Sequence, residues 1–161
     1  QKLVTPPFAR SSVLFVCTGN ICRSPTAEGL FRHRLDSLGV LDRFRIDSAG
    51  TGGWHEGDPP DSRAVTEALR RGIDIGNLRA RALRPADYAE FSWLVAMDAG
   101  HLAHMQRACP RGVPCRILPL HPDRDVPDPY YGDAAAFRNT YDVIVEGMDV
   151  FMDTLKKEGL L

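Results

Sequence analysis

Residues 13–24 have the sequence VLFVCTGNICRS, and this stretch decides the fold. Its first five residues, 13–17, are apolar and rich in strand-forming types, which predicts a short buried β-strand. A Gly-Asn pair then breaks the run, because both residues readily adopt left-handed backbone geometry. Ser24 and Pro25 have the residue types of a helix N-cap and a first helical position. The stretch therefore predicts a strand that leads through a tight loop into a helix.

Outward from this stretch, short apolar runs alternate with amphipathic segments. We predict strands at 13–17, 44–48, 91–97 and 116–118, and helices at 24–38, 61–71, 98–108 and 134–160, with one helical turn at 84–88. Such alternation is typical of a parallel sheet with helices on both faces. The predicted fold class is α/β, with a four-stranded, parallel, twisted sheet in a single domain, 13–161. Residues 1–12 are expected to form a flexible N-terminal extension.

The loop that follows Cys17 has the features of an oxyanion site. Parallel sheets bind ligands beyond the carboxyl ends of their strands, and loop amides with a helix N-terminus surround a tetrahedral anion well. Arg23 adds a planar fork that grips two phosphate oxygens. The same positive field stabilises a thiolate at Cys17, to which Ser24 is placed to donate. The sequence therefore predicts a phosphate loop after the first strand, with these residues facing the ligand: Thr18, Gly19, Asn20, Ile21 and Cys22.

Other interpretations of this loop fit less well. A Walker-type nucleotide loop needs Gly-Lys-Ser or Gly-Lys-Thr at the helix start, and here a Cys-Arg-Ser sequence ends at Ser24. A dinucleotide fingerprint needs further glycines after Gly19. If Cys17 were an ordinary core cysteine and Arg23 a solvated side chain, the strand, loop and helix around them would have no functional explanation.

The composition excludes several function classes. The 161 residues carry 20 basic and 21 acidic side chains, a net charge of −1, which argues against a non-specific nucleic-acid partner. No stretch approaches the ~18 apolar residues of a membrane span. Four cysteines are too few for a disulfide-stapled secreted scaffold, so we expect a cytoplasmic protein with reduced thiols. Cys109 and Cys115 lack the usual spacing of zinc ligands, and we expect neither metal nor cofactor.

Two distant groups of motifs together resemble one known family. Residues 17–28 are followed in order by Ser48-Ala49-Gly50-Thr51, Trp54, Arg79-Ala80-Arg81, Met97-Asp98 and Asp128-Pro129-Tyr130-Tyr131-Gly132. In this pattern the chain resembles the low-molecular-weight protein tyrosine phosphatases, as a bacterial-type member, over nearly its whole length. The resemblance implies hydrolysis of phosphotyrosine through a phosphocysteine intermediate, without a metal. It also implies a phosphotyrosine-containing protein as substrate and inorganic phosphate as a ligand.

The resemblance assigns the chemical roles residue by residue. Cys17 is the nucleophile, Arg23 and the loop amides hold the phosphate oxygens, and Asp128 is the general acid. By residue type alone, Asp123 and Asp125 on the same loop compete with Asp128. The proline after Asp128 stiffens its backbone, which favours that residue only modestly.

The resemblance also assigns supporting roles around the loop. Asn20 and Ser48 brace it, and Ser24 supports the thiolate. Many bacterial members have a histidine where this chain has Leu78, which leaves open how Asn20 is braced.

The aromatic residues and the second loop cysteine each have two interpretations. Trp54, Tyr130 and Tyr131 are expected to form walls around a substrate ring, and the alternative is ordinary packing. Cys22 is close enough in sequence to Cys17 to form a reversible disulfide, and the alternative is a buried neutral thiol.

Three competing functions remain open at this point. Arsenate reduction on the same fold needs resolving cysteines near the end of the third strand, where this chain has Met97 and Asp98. A protein arginine phosphatase commonly has threonine at the position of Ile21, so Ile21 favours an aryl phosphate. A phosphate-binding module without activity does not need Cys17, Arg23 and Asp128 together.

Overall fold

A computed structural model describes residues 11–114 and 116–161. The strands are β1 Ser11–Cys17, β2 Phe44–Gly50, β3 Trp93–Ala96 and β4 Arg116–Pro119. The helices are α1 Arg23–Ser37, α2 Ser62–Arg70, α3 Asp87–Glu90, α4 Ala99–Ala108 and α5 Ala134–Lys157, and a 3-10 turn spans Leu41–Arg43. All strand pairs are parallel, and the order across the sheet is β2-β1-β3-β4. The predicted α/β class with a four-stranded parallel sheet is confirmed.

The sheet is buried on both faces because successive residues of β1 point to opposite sides. Val13 and Phe15 belong to the larger core, which also contains residues of α1, α2 and α5. Leu14 and Val16 belong to a smaller core with residues of α3 and α4. The predicted placement of helices on both faces is therefore confirmed, and the unbroken apolar run of β1 is explained by its central position.

The order of the strands places a ligand site at the end of β1. The chain passes from β1 through α1 to β2 on one side, whereas β3 and β4 lie on the other side of β1. Parallel sheets bind ligands at such a switch point. Cys17 is the last residue of β1 and pairs with Gly50. A Cβ atom at Gly50 would lie 2.6 Å from the carbonyl oxygen of Thr18, so the loop over residues 17–24, here called the Cys17 loop, packs directly on the end of β2.

Several predicted boundaries need correction. β1 begins at Ser11, two residues earlier than predicted, where it pairs with Phe44; the first part of the expected extension, 1–10, lies outside the described residues. α1 begins at Arg23, so the predicted N-cap at Ser24 is wrong. β3 is shorter than predicted and β2 longer, since β2 continues to Gly50. Among the described helices, none has both the length and the apolar character needed to cross a membrane.

Candidate active site

A cavity of about 300 Å³ opens beside the Cys17 loop, at the end of β1. Three segments of the chain line it: the Cys17 loop, the segment after β2 and the loop over residues 128–132. The lining residues are Cys17, Thr18, Gly19, Ile21, Cys22, Arg23, Trp54, His55, Asp128, Tyr130 and Tyr131. The structure thus brings together the residues predicted to face a ligand, with Asn20 as the exception, because its side chain is turned into the protein.

The Cys17 sulfur has a hydroxyl neighbour. Ser24 Oγ lies 3.0 Å from Cys17 Sγ, and both atoms are buried. Ser24 Oγ also accepts a hydrogen bond of 2.8 Å from the side-chain amide of Asn20. Because the amide donates to the oxygen, the hydroxyl hydrogen is free to point at the sulfur. Ser24 therefore fails as a helix cap because its hydroxyl is engaged with the Cys17 loop instead.

Asn20 is the brace of the loop, and its partners answer the question raised by Leu78. Its φ of 60° is left-handed, a geometry that asparagine tolerates better than most residues. The backbone N–H of Arg81 donates to its side-chain oxygen at 2.9 Å, which fixes the orientation of the amide. The amide nitrogen donates to Ser24 and to Ser48, at 2.8 and 3.0 Å. A backbone N–H and two serines thus hold Asn20, with no histidine required.

A buried carboxyl group completes this brace. Ser48 donates to Glu28 Oε1 at 2.7 Å, and Arg32 donates to Glu28 Oε2 at 2.9 Å. Burial raises the pKa of Glu28 above its ordinary value, although the hydrogen bonds from Ser48 and Arg32 oppose the rise. The network therefore extends from the Cys17 loop through β2 to the buried side of α1.

The guanidinium of Arg23 is held along one edge and open along the other. Its Nη1 donates to Asp98 Oδ2 at 2.9 Å and to the carbonyl of Val126 at 3.1 Å. Its Nη2 donates to Thr18 Oγ1 at 3.2 Å. Arginine has five N–H donors, so Nε–H and the second Nη2 hydrogen have no hydrogen-bond partner among the described residues, and the Asp128 carboxylate, 3.8 Å from Nη2, lies beyond hydrogen-bond distance. These two donors form a fork, which suits two oxygens of one oxyanion.

A histidine that the sequence did not bring to notice fixes this edge. His101 Nε2 lies 2.8 Å from Thr18 Oγ1, and the backbone N–H of Asp98 donates to His101 Nδ1 at 3.2 Å. Because Nδ1 accepts, Nε2 carries the hydrogen and donates to Thr18. Burial and the charge of Arg23 lower the pKa of His101 from 6.5 to about 4. His101 is therefore neutral near neutral pH and acts as a fixed donor.

The three aspartates left open by residue type occupy different places. Asp128 lines the cavity, and its Oδ2 lies 3.8 Å from Arg23 Nη2. Asp125 instead accepts from the backbone N–H of Ala99, at the start of α4. Asp123 lies on the exposed part of the loop and does not line the cavity. Geometry therefore singles out Asp128 as the carboxyl group that can exchange a proton with a ligand in the cavity.

The predicted aromatic walls lie at the cavity and are largely exposed. Trp54 is 73% exposed and Tyr131 is 93% exposed, so ordinary core packing does not explain them. The rings of Tyr130 and Tyr131 meet edge to face, with centroids 4.9 Å apart. A Cβ at Gly52 would collide with the ring of Trp54, so glycine there lets the indole fold over the backbone.

Cys22 is buried at the wall of the same cavity. Burial, together with the charge of Asp61, raises its pKa to about 12. It is therefore a neutral thiol near neutral pH, and the disulfide with Cys17 stays a prediction. Within residues 11–114 and 116–161, no three His, Cys, Asp or Glu side chains cluster as a metal site would require.

Sequence reasoning missed the positioning roles of three residues: Glu28, Asp98 and His101. In the sequence Asp98 is the first residue of a predicted helix and part of the Met97-Asp98 motif; in the structure one of its oxygens accepts from the N–H of His101 and the other accepts from Arg23. The available signal was a carboxylate two residues after the end of β3, the neighbour of β1. For Glu28 the signal was a charged residue on the buried face of a helix.

The parallel sheet, the Cys17 loop and the open fork of Arg23 define a cysteine-dependent phosphatase. The chain belongs to the low molecular weight phosphotyrosine protein phosphatase family, whose model matches residues 12–160. Enzymes of this kind are hydrolases of phosphoric monoesters.

Three relatives illustrate the similarity. The low molecular weight protein-tyrosine-phosphatase YfkJ of Bacillus subtilis is 38% identical over 93% of this chain and 99% of its own length. The crystal structure of a protein tyrosine phosphatase from Entamoeba histolytica, with Hepes in the active site, aligns with a TM-score of 0.86 and 30% identity over 94% of this chain and 99% of that one. DARP, a Drosophila arginine phosphatase, aligns with a TM-score of 0.82 and 30% identity over 89% and 97% of the two chains.

Proposed function

We propose that this enzyme hydrolyses phosphotyrosine in protein substrates, with Cys17 as nucleophile and Asp128 as general acid and base. The observation that carries the proposal is that Cys17, the open edge of Arg23 and Asp128 line one cavity. The remaining donors of Arg23 and the amides of the Cys17 loop hold the oxygens of the phosphoryl group. Inorganic phosphate, as the product, fits the same donors.

Two displacements at phosphorus complete the reaction. The Cys17 thiolate attacks, the S–P bond forms and the P–O bond to the aryl oxygen breaks while Asp128 gives its proton to that oxygen. A water molecule then attacks the phosphocysteine and passes a proton to Asp128, and the S–P bond breaks to release phosphate. Ser24 donates to the thiolate in the resting enzyme and to the leaving sulfur in the second step.

The shape of the cavity supports aryl over alkyl phosphates. The aromatic rings of Trp54, Tyr130 and Tyr131 offer faces and edges to a phenyl ring, whereas phosphoserine has no ring to stack. Attack requires a separation of about 3–3.5 Å between the reacting atoms, so the substrate must also be long enough to pass these rings. Phosphoarginine is the competing substrate because of the likeness to DARP. Ile21 supports phosphotyrosine, since it places an apolar side chain at the cavity.

Turnover in EDTA tests the nucleophile. The wild-type enzyme is expected to hydrolyse p-nitrophenyl phosphate, and Cys17→Ser to lower kcat by at least roughly 10³-fold while still binding inorganic phosphate in calorimetry. Cys109→Ser, at a cysteine away from the cavity, serves as the matched control and keeps full activity. More than a few per cent of wild-type activity in Cys17→Ser contradicts the assignment, and binding without turnover in the wild type favours a phosphate-binding module.

A peptide panel tests the substrate class. We expect kcat/KM for a phosphotyrosine peptide to exceed that for matched phosphoserine and phosphoarginine peptides by at least roughly 10²-fold. A preference for phosphoarginine assigns the enzyme to the other substrate class without changing the role of Cys17.

We also propose a cytoplasmic location, which the small number of cysteines supports. Cell fractionation tests this location.

A further inference from the structure

Arg63 lies outside the cavity but is bonded to the loop that carries Asp128. It is the second residue of α2, and its Nε and Nη2 donate to the two carboxylate oxygens of Asp61 at 3.0 and 2.8 Å. Nη2 also donates to the carbonyl of Tyr130 at 3.0 Å, and Nη1 donates to the carbonyl of Gly132 at 3.1 Å. One guanidinium therefore joins the start of α2 to the 128–132 loop.

The other end of this connection is fastened to the Cys17 loop. The backbone N–H of Asp61 donates to the carbonyl of Ile21 at 2.8 Å. The Asp61 carboxylate caps α2 by accepting from the backbone N–H of Arg63 at 2.8 Å. Hydrogen bonds from Arg63 hold the pKa of Asp61 below its ordinary value, so the ion pair persists near neutral pH. The contacts thus run from Ile21 through Asp61 and Arg63 to the 128–132 loop.

Tyr130 is the point at which this connection reaches the carboxyl group. Its backbone N–H donates to Asp128 Oδ1 at 3.1 Å, and its carbonyl accepts from Arg63. The Asp128 side chain is 48% exposed, so packing alone does little to fix it. The guanidinium carbon lies over two aromatic rings, 4.6 Å from the centroid of Phe137 and 5.7 Å from that of Tyr130. The residue that orients the carboxylate is therefore the residue that Arg63 holds in place.

We propose that Arg63 is a positioning residue for the proton transfer, which sets the Asp128 carboxyl group at its working distance from the Cys17 loop. This inference rests on the proposed role of Asp128 as general acid. The P–O bond needs the proton of Asp128 more strongly as the leaving group becomes more basic. A displaced acid therefore slows substrates with basic leaving groups and spares those with acidic ones. A residue that only stabilises the fold slows all of them alike.

The test compares kcat/KM for phenyl phosphate, whose leaving group is nearly as basic as tyrosine, with that for p-nitrophenyl phosphate, whose leaving group is acidic. We expect Asp128→Asn to lower kcat/KM roughly 10²-fold or more on phenyl phosphate and much less on p-nitrophenyl phosphate. Arg63→Met, which keeps the apolar stem, is expected to lower it roughly 10-fold on phenyl phosphate and less than about 3-fold on p-nitrophenyl phosphate. Arg70→Met is the matched control, because Arg70 lies on the same helix and pairs with Glu67. It is expected to leave both values unchanged.

A double-mutant cycle separates positioning from general stabilisation. Since Arg63 acts through Asp128, Arg63→Met is expected to cause no further loss of kcat/KM in the Asp128→Asn background. The inhibition constant of inorganic phosphate is expected to stay within about 2-fold of wild type. Equal losses on both substrates, or the same loss with and without Asp128, overturn the inference. If Asp128→Asn shows the leaving-group trend and Arg63→Met does not, only the role of Arg63 fails. If Asp128→Asn shows no trend, the proposed general acid fails and this inference fails with it.

Discussion

The Cys17 loop and the 128–132 loop meet at the same cavity but are built in opposite ways. In the Cys17 loop, Asn20, Arg23 and Ser24 are buried, and each polar side chain is bonded on several sides. In the 128–132 loop, the side chains of Asp128, Tyr130 and Tyr131 are exposed, and its hydrogen bonds are made mainly by backbone groups.

This difference follows from what each loop must do. Donors for an oxyanion stabilise it best when they are fixed in advance and shielded from water. The exposed side chains at the mouth of the cavity, Trp54, Tyr130 and Tyr131, are here called the rim. The rim has to admit substrates of varied sequence, and an exposed surface is compatible with that task. We therefore expect changes in the Cys17 loop to cost more than changes in the rim, and the following predictions test that ranking from the largest effect to the smallest.

The largest effect is expected at Arg23. The comparison predicts that a positive charge alone, without the planar guanidinium, does not support catalysis. Arg23→Lys keeps the positive charge but cannot serve Asp98, Val126 and an oxyanion with one planar group. We expect kcat/KM for p-nitrophenyl phosphate to fall by roughly 10²–10³-fold or more, the usual loss when oxyanion donors are removed. Steady-state kinetics measures this, with Arg34→Lys as control, because Arg34 pairs with Asp149 of α5 and does not line the cavity. Activity close to wild type would falsify the two-donor fork.

The next largest effect is expected in the pH dependence of stability, through His101. The pKa of His101 is about 4 in the folded protein and 6.5 ordinarily, because burial and Arg23 disfavour the charge; Asp98, Asp125 and Asp128 oppose them more weakly. Between these pH values the unfolded chain binds more protons than the folded one, so stability falls as the pH falls. From pH 6.5 to pH 4 the contribution to the free energy of unfolding drops by about 3 kcal/mol.

Urea unfolding at several pH values between 7 and 4 measures this dependence. His101→Gln is expected to lose this part of the pH dependence. The difference in free energy of unfolding between wild type and variant therefore shrinks as the pH falls. His33→Gln, at an exposed position on α1, is expected to keep the wild-type slope. Parallel curves for wild type and His101→Gln contradict a neutral buried histidine behind the Cys17 loop.

Much of this architecture was predictable because its signals are local. The apolar run before Cys17 and the Gly-Asn break predicted the strand and its loop, and the alternation of periodicities predicted the sheet. The ion pair of Arg23 with Asp98 joins residues 75 positions apart, and no local pattern specifies it. Ser24 shows the converse case: its local signal for an N-cap was real, but the tertiary contact with Cys17 prevailed.

A smaller effect is expected from the brace of the Cys17 loop. Asn20→Ala removes three side-chain hydrogen bonds and leaves a β-carbon at a φ of 60°. We expect the free energy of unfolding to fall by about 2–3 kcal/mol. Asn20→Gly loses the same bonds without the backbone penalty, so it is expected to be about 1 kcal/mol more stable than Asn20→Ala. Chemical denaturation measures both, with the exposed Asn139→Ala as control, and equal stability of the two variants argues against strain at this position.

The smallest effect is expected at the exposed rim, where Trp54 and Tyr131 are proposed to contact the ring of the substrate. An aromatic contact contributes about 0.5–1.5 kcal/mol, so Trp54→Ala or Tyr131→Ala is expected to lower kcat/KM for a phosphotyrosine peptide by about 2- to 10-fold. Inorganic phosphate does not reach the rim, and its inhibition constant is expected to stay within about 2-fold. Trp54→Phe keeps a ring and is expected to recover most of the loss.

The role of the rim is decided by whether a variant loses peptide turnover alone or loses affinity for inorganic phosphate as well. The indole of Trp54 also covers Gly52, so an alternative outcome is that its removal loosens the segment after β2. In that case phosphate affinity and peptide turnover fall together, because that segment adjoins Gly50 and the Cys17 loop packs against Gly50. Tyr131 is 93% exposed and its ring meets that of Tyr130 edge to face, so its variant leaves the segment after β2 in place. A loss confined to peptide substrates in both variants identifies the rim as a substrate-recognition surface, and a loss shared with phosphate in Trp54→Ala alone assigns that ring a structural part.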